Sequence, residues 1–95
     1  MNNREIIINA LCNQKDKRKK SIRIPQQLLR GEIRIDTDYS IEFNVEKLLV
    51  KEVRTKKNSL GNDLLYFITD YGKHNINWVD DESTKMILSY ITLAR

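Results

Sequence analysis

The hydrophobic period changes as the chain runs. Near the N-terminus Ile6, Ile7, Ala10 and Leu11 recur at helical spacing, which predicts a short helix over Asn3–Asn13 with Asn2 or Asn3 as its cap. From Ser21 the period drops to two. Ile22 and Ile24 alternate with Ser21 and Arg23 in a half-buried strand that ends at Pro25. Pro25 suits the first position of a helical turn, which Gln26 to Arg30 supply and Gly31 closes. Alternation resumes in "EIRID" with Ile33 and Ile35 inward, turns at Thr37 and Asp38, and continues in "SIEFNV". Ile33, Ile35, Ile41, Phe43 and Val45 then line one side of a hairpin.

The next segment carries both signals. Val45, Leu48, Leu49 and Val53 fit a helix capped by Asn44, whereas Val45, Val50, Val53 and Thr55 are β-branched. The turn-rich "NSLGN" and the aromatic "DLLYFITD" after it favour a hairpin with a long tip. Tyr71 and Gly72 mark another turn, and "NINWV" is a last strand, with Ile76 and Trp78 on one face or Val79 on the other. Asp80 or Asp81 then caps a helix with an acidic first turn and a buried stripe of Met86, Ile87, Tyr90, Ile91 and Ala94. The predicted fold is α+β: a short N-terminal helix, an antiparallel β-meander of about five strands, and a C-terminal amphipathic helix packed on one face of the sheet.

Length and composition narrow this picture. A chain of 95 residues suits one small domain, here with a mobile basic loop over positions 14–20. At 40% hydrophobic and 32% charged it is polar but not disordered in composition. Cys12 is the only cysteine, so no internal disulfide and no thiolate metal cluster is available, and a reducing compartment follows. The opening "MNNREIIINALCNQ" makes a poor signal peptide, and runs such as "LLYFI" are far too short to span a membrane. A cytoplasmic protein with no membrane contact is expected. Abundant Ile, Asn and Lys point towards an AT-rich bacterial or phage genome.

Charge is unevenly spread. Positions 15–20 hold five cations and one acid, a net +4 that equals the charge of the whole chain. Arg54, Lys56 and Lys57 form a weaker basic spot, and positions 58–95 are net acidic. Lys15, Lys17, Arg18, Lys19 and Lys20 are therefore the candidate phosphate contacts, with Arg23, Arg54, Lys56 and Lys57 as secondary ones if the fold brings them to the same side. The competing reading of the cluster is a solvated loop that keeps a small protein soluble.

Other chemistries have less support. His74 and Cys12 are each the only residue of their kind, and nothing in the sequence demands that they meet as a catalytic pair. "DDE" at Asp80 to Glu82 is explained by helix capping, and Asp36 and Asp38 by turn formation, so no metal site is assigned. "SLGN" has too few glycines to cradle a nucleotide phosphate. No cofactor and no enzymatic activity are expected.

The stretch "SIRIPQQLL…YSIEFNVEKLLVKEV" resembles the strand, Ile-Pro, helical turn, strand, strand order of the swapped-hairpin domains of AbrB- and MazE-type DNA-binding proteins. The likeness runs from Lys20 to about Val53. In that family a basic residue precedes the "IP" strand and a dimer forms by interleaved hairpins. The glycine usual before the basic residue is absent, since Lys20 and Ser21 stand there. The resemblance implies DNA binding and a homodimer.

Two functional expectations result. The first is a small non-enzymatic nucleic-acid-binding regulator that uses the basic loop. The second is a protein–protein interaction module, such as a phage or mobile-element inhibitor of a host protein, for which a sheet edge or a charged face suffices.

Overall fold

The computed structural model describes residues 1–14, 20–36 and 42–93, and for 26, 27, 30, 42–47 and 93 the backbone alone. The chain runs α1 (Asn3–Cys12), β1 (Ser21–Asp36), β2 (Glu42–Lys57), β3 (Asp63–Thr69), β4 (Gly72–Val79) and α2 (Asp81–Leu93). Every strand pairs antiparallel with the next, and β4 returns to β1, which closes the sheet into a small barrel. The fold is α+β, with both helices against the inner face. The expected antiparallel meander is present; among the described residues it forms four elements, because β1 and β2 each run on through bends.

Those bends explain the elements. Around the first, Arg23 pairs with Glu52 and Gln27 with Val50, so Ile24, Pro25 and Gln26 face a single residue, Lys51. A proline has no amide to give a ladder and is tolerated in a strand at such a bulge. The expected helical turn over Gln26 to Arg30 is thus corrected to strand. The turn implied by the swapped-hairpin resemblance is missing with it. The bulge also reverses the alternation: Ile22 and Ile24 point inward before it, and Leu29 rather than Leu28 after it.

The second bend lies between Arg30 and Ile33. Gly31 takes φ +117° there, a conformation that side-chain-bearing residues rarely adopt. A Cβ on Gly31 would also land on the Asp80 carboxylate. The Asp80 amide donates to the Glu32 carbonyl at 3.0 Å, so this bend fixes the start of α2.

Asp80 is the cap of α2. Its Oδ1 accepts from the Ser83 amide at 3.1 Å, and its carbonyl accepts from the Thr84 amide at 3.1 Å and Thr84 Oγ1 at 2.7 Å. Ile87 and Ile91 are buried beneath the helix and Met86 and Tyr90 pack at its margin, as the stripe predicts, while Ala94 lies outside the described residues. Asn2 caps α1, accepting from the Glu5 amide at 2.9 Å. The buried face of α1 is Ile7, Ile8 and Leu11, so the expected Ile6 and Ala10 are only half-buried. Arg4 sets that rotation. Its Nε donates to the Ile76 carbonyl at 2.9 Å and its Nη2 to the Asp63 carbonyl at 3.0 Å, tying α1 to β3 and β4.

The ambiguous segment up to Lys57 is strand throughout. Ile35 opposite Phe43 and Ile33 opposite Val45 give the hairpin register the alternation predicts; its turn at Thr37 and Asp38 and residue Ile41 lie outside the described residues. In β4, Val79 pairs with Ile33 and Trp78 with Arg34, but Ile76 pairs with Ile35, which leaves Asn77 as an extra residue. Ile76 and Val79 are therefore both buried and Trp78 faces out. The core gathers these inward residues with Leu65, Phe67, Val50 and Val53 beneath the two helices.

Candidate nucleic-acid interface

The basic cluster meets the sheet at the start of β1. The Thr55 amide donates to the Lys20 carbonyl at 2.8 Å, which extends the β1–β2 ladder by one rung beyond the Ser21–Arg54 pair. Gln14 Nε2 donates to the Ser21 carbonyl at 3.3 Å. The two residues flanking positions 15–19 are thus held at one edge of the barrel, beside Arg54 to Lys57. Lys15, Lys17, Arg18 and Lys19 lie outside the described residues.

Alternation decides which cations point outward. Val53 and Thr55 are buried, so Arg54 and Lys56 project from the opposite face of β2. Arg23 projects the same way between buried Ile22 and Ile24. Lys20, Arg23 and Lys56 are exposed and form no ion pair with any described residue. Arg54 is held by Glu52 through two parallel contacts, Nε to Oε1 at 3.2 Å and Nη2 to Oε2 at 3.1 Å. Lys57 turns away to Asp63 at 3.5 Å and to the Gly61 carbonyl at 3.4 Å, at the β2–β3 connection. Of the secondary candidates, Arg23, Arg54 and Lys56 share the outward face; Lys20, opposite inward Thr55, is exposed at the rim where β1 begins, and Lys57 is engaged elsewhere.

Beside Arg54, the outward face carries residues that sequence reasoning did not assign. Ser21, Arg54, Tyr66, Asn75 and Asp36 stand side by side across all four strands. Lys73 Nζ lies 4.0 Å from the centroid of the Tyr66 ring, and Arg34 Cζ lies 4.7 Å from that of Trp78. Phe67 is fully buried and Tyr66 half-buried, as expected for neighbours on opposite faces of a strand. The alternation of "DLLYFIT" is the signal for Tyr66. For Trp78 the local sequence has none, because its direction depends on the extra residue Asn77. Glu32 and Glu52 on this face are engaged by Arg34 at 3.6 Å and Arg54 at 3.1 Å, and Asp36 accepts from Asn75 Nδ2 at 3.3 Å.

Two clefts open where β1 and β2 bend. One, of about 550 Å³, is lined by Arg23, Ile24, Pro25, Lys51, Glu52 and Ile68. The other, of about 260 Å³, is lined by Leu28, Leu48, Leu49, Thr69, Asp70 and Tyr71. The Lys51–Asp70 ion pair links their linings.

The remaining chemical candidates have structural partners. His74 Nε2 lies 2.9 Å from Thr69 Oγ1, and that hydroxyl also accepts from the Tyr71 amide at 3.1 Å, which braces the β3–β4 turn. Cys12 packs half-buried against the core. Asp80 caps α2 and Asp81 Oδ1 accepts from Asn3 Nδ2 at 2.7 Å. Among the described residues no three His, Cys, Asp or Glu side chains cluster in a way that could hold a metal, and no helix is long and apolar enough to cross a membrane.

In comparisons with known proteins, no family model matches the sequence, and no curated protein and no solved structure is significantly similar to it.

Proposed function

We propose that the protein is a non-enzymatic nucleic-acid-binding regulator, acting in the cytoplasm of a bacterial or phage-infected cell. The observation that carries this reading is the bond from the Thr55 amide to the Lys20 carbonyl, which anchors the end of the basic cluster beside the outward cations Arg54 and Lys56. Here a segment of net +4 is joined to a face that adds Arg23, Arg54 and Lys56. Such a surface contacts phosphates through counterion release and reads no base sequence by itself. The test is a titration of duplex DNA and of single-stranded RNA at two salt concentrations. Affinity that falls steeply with salt supports the reading, and salt-independent binding or none at low salt refutes it.

A second reading, a protein–protein interaction module of the inhibitor type, is favoured by the smaller cleft. Leu28 is 52% exposed and Tyr71 91% exposed at its margin. A stoichiometric protein partner recovered from a nuclease-treated bacterial lysate supports this second reading over the first.

A further inference from the structure

We infer that the nucleic acid is single-stranded, with bases stacked on Tyr66 and Trp78 on the outward face of the barrel. This rests on the nucleic-acid reading and specifies the strand. Tyr66 stands next to Arg54 on the neighbouring strand, and Arg54 next to Ser21, so the ring lies two strand spacings of about 4.8 Å each from Ser21, the residue that follows the basic cluster. Asn75, beside Tyr66, lies on the same strand as Trp78, and because Asn77 is an extra residue the step from Asn75 to Trp78 matches that from Asp36 to Arg34, which places the two backbone positions roughly 8 Å apart from one strand spacing and two residues of rise. Both rings are within reach of one short strand.

A cation already lies over each ring, Lys73 over Tyr66 and Arg34 over Trp78. Both rings are half-buried, and a base reaches the covered face where the side chain over it swings away. Lys73 forms no ion pair with a described residue, and rotation of its flexible side chain exchanges the ring for a phosphate beside the stacked base. Arg34 is steadied by Glu32 at 3.6 Å and can stack with a base as a planar group in its own right. Charge favours a polyanion: Arg23, Lys56 and Lys73 form no ion pair with a described residue, while Glu32 and Glu52 are paired with arginines and Asp36 is the one further acid named on this face. A rigid duplex presents phosphates and hides its base faces, so it can meet the cations but not the rings. A single strand meets both.

Trp78 is the only tryptophan, so stacking reports itself in the intrinsic fluorescence of the wild-type protein. The experiment titrates a dT oligonucleotide of about 12 residues and a duplex of equal length at low salt, following Trp78 emission and the anisotropy of a label on the nucleic acid. The expected result is tighter binding of the single strand with quenching of Trp78, and weaker duplex binding without it. Tyr66→Leu, which keeps apolar bulk without a π-face, is expected to weaken single-strand binding roughly 5- to 150-fold and leave duplex binding unchanged, and Tyr66→Phe to restore it. Equal affinity for both nucleic acids with no quenching overturns the single-strand inference while the electrostatic reading stands. No binding of either at low salt overturns both and leaves the face to another class of partner. If Tyr66→Leu fails to fold, the wild-type quenching decides alone.

Discussion

Replacing Gly31 with alanine tests the framework that holds β1 to α2. Two costs are built into that position. The backbone φ of +117° is strained for any residue with a Cβ, worth about 1–3 kcal/mol. The new methyl would also overlap the Asp80 carboxylate, which must then swing away and give up its bond from the Ser83 amide. Loss of such a cap costs about 1 kcal/mol. The sum, roughly 2–4 kcal/mol, is a large share of the ~5–14 kcal/mol expected for a chain of 95 residues. Thermal unfolding followed by circular dichroism should show a midpoint lowered by roughly 10–30 °C. Gly61→Ala is the control. Its φ is +83° but nothing lies within 4 Å of the added Cβ, so only the backbone cost of about 1 kcal/mol is expected. The overlap is separable by a double-mutant cycle, because in an Asp80→Ala background there is no carboxylate left to displace. Gly31→Ala should then cost about 1 kcal/mol less than it does in the wild type. Equal costs in the two backgrounds, or a Gly31 variant no less stable than the Gly61 variant, would refute the reasoning.

Three further substitutions probe register, docking and charge. Leu29→Ala should lower the urea-unfolding free energy by about 2–5 kcal/mol and Leu28→Ala by no more than about 0.5 kcal/mol, since the Pro25 bulge turns Leu29 inward and leaves Leu28 52% exposed; similar costs would mean the register is wrong. Arg4→Ala strands the Ile76 and Asp63 carbonyls and should cost about 1.5–3 kcal/mol by the same assay, with Arg4→Lys recovering only part, because a single ammonium cannot reproduce the guanidinium fork. Glu52→Gln releases Arg54 from a partly exposed pair, so stability should change by less than about 1 kcal/mol while nucleic-acid affinity rises and its salt dependence steepens; unchanged affinity would show that Arg54 makes no phosphate contact.

Local pattern revealed much of the architecture. The α2 stripe and its acidic cap needed only helical spacing, and the Ile33–Val45 hairpin only alternation. The failures came where local chemistry has two solutions. Proline's fixed φ suits the first turn of a helix and a strand bulge alike, and only the pairing of β1 with β2 through Lys51 selects the bulge. Three successive isoleucines on α1 left its buried face unsettled by spacing, and the reach of Arg4 to two distant carbonyls settled it. The site shows the same division. The charge of the basic cluster is evident in the sequence, and so is the outward direction of Arg54, Lys56 and Tyr66 once they are read as strand. That Lys20 sits beside Thr55, or that Lys73 covers Tyr66, depends on cross-strand register, which no single strand encodes.

The central claim is that Lys20, Arg23 and Lys56 belong to one phosphate-binding surface. The most direct measurement is the slope of log affinity against log salt for a single-stranded oligonucleotide, compared between the wild type and a variant with all three changed to Gln. Each phosphate contact contributes about −0.7 to the slope for single strands, so the variant should bind more weakly with a slope shallower by roughly 2. An unchanged slope, with the variant folded, would contradict the account.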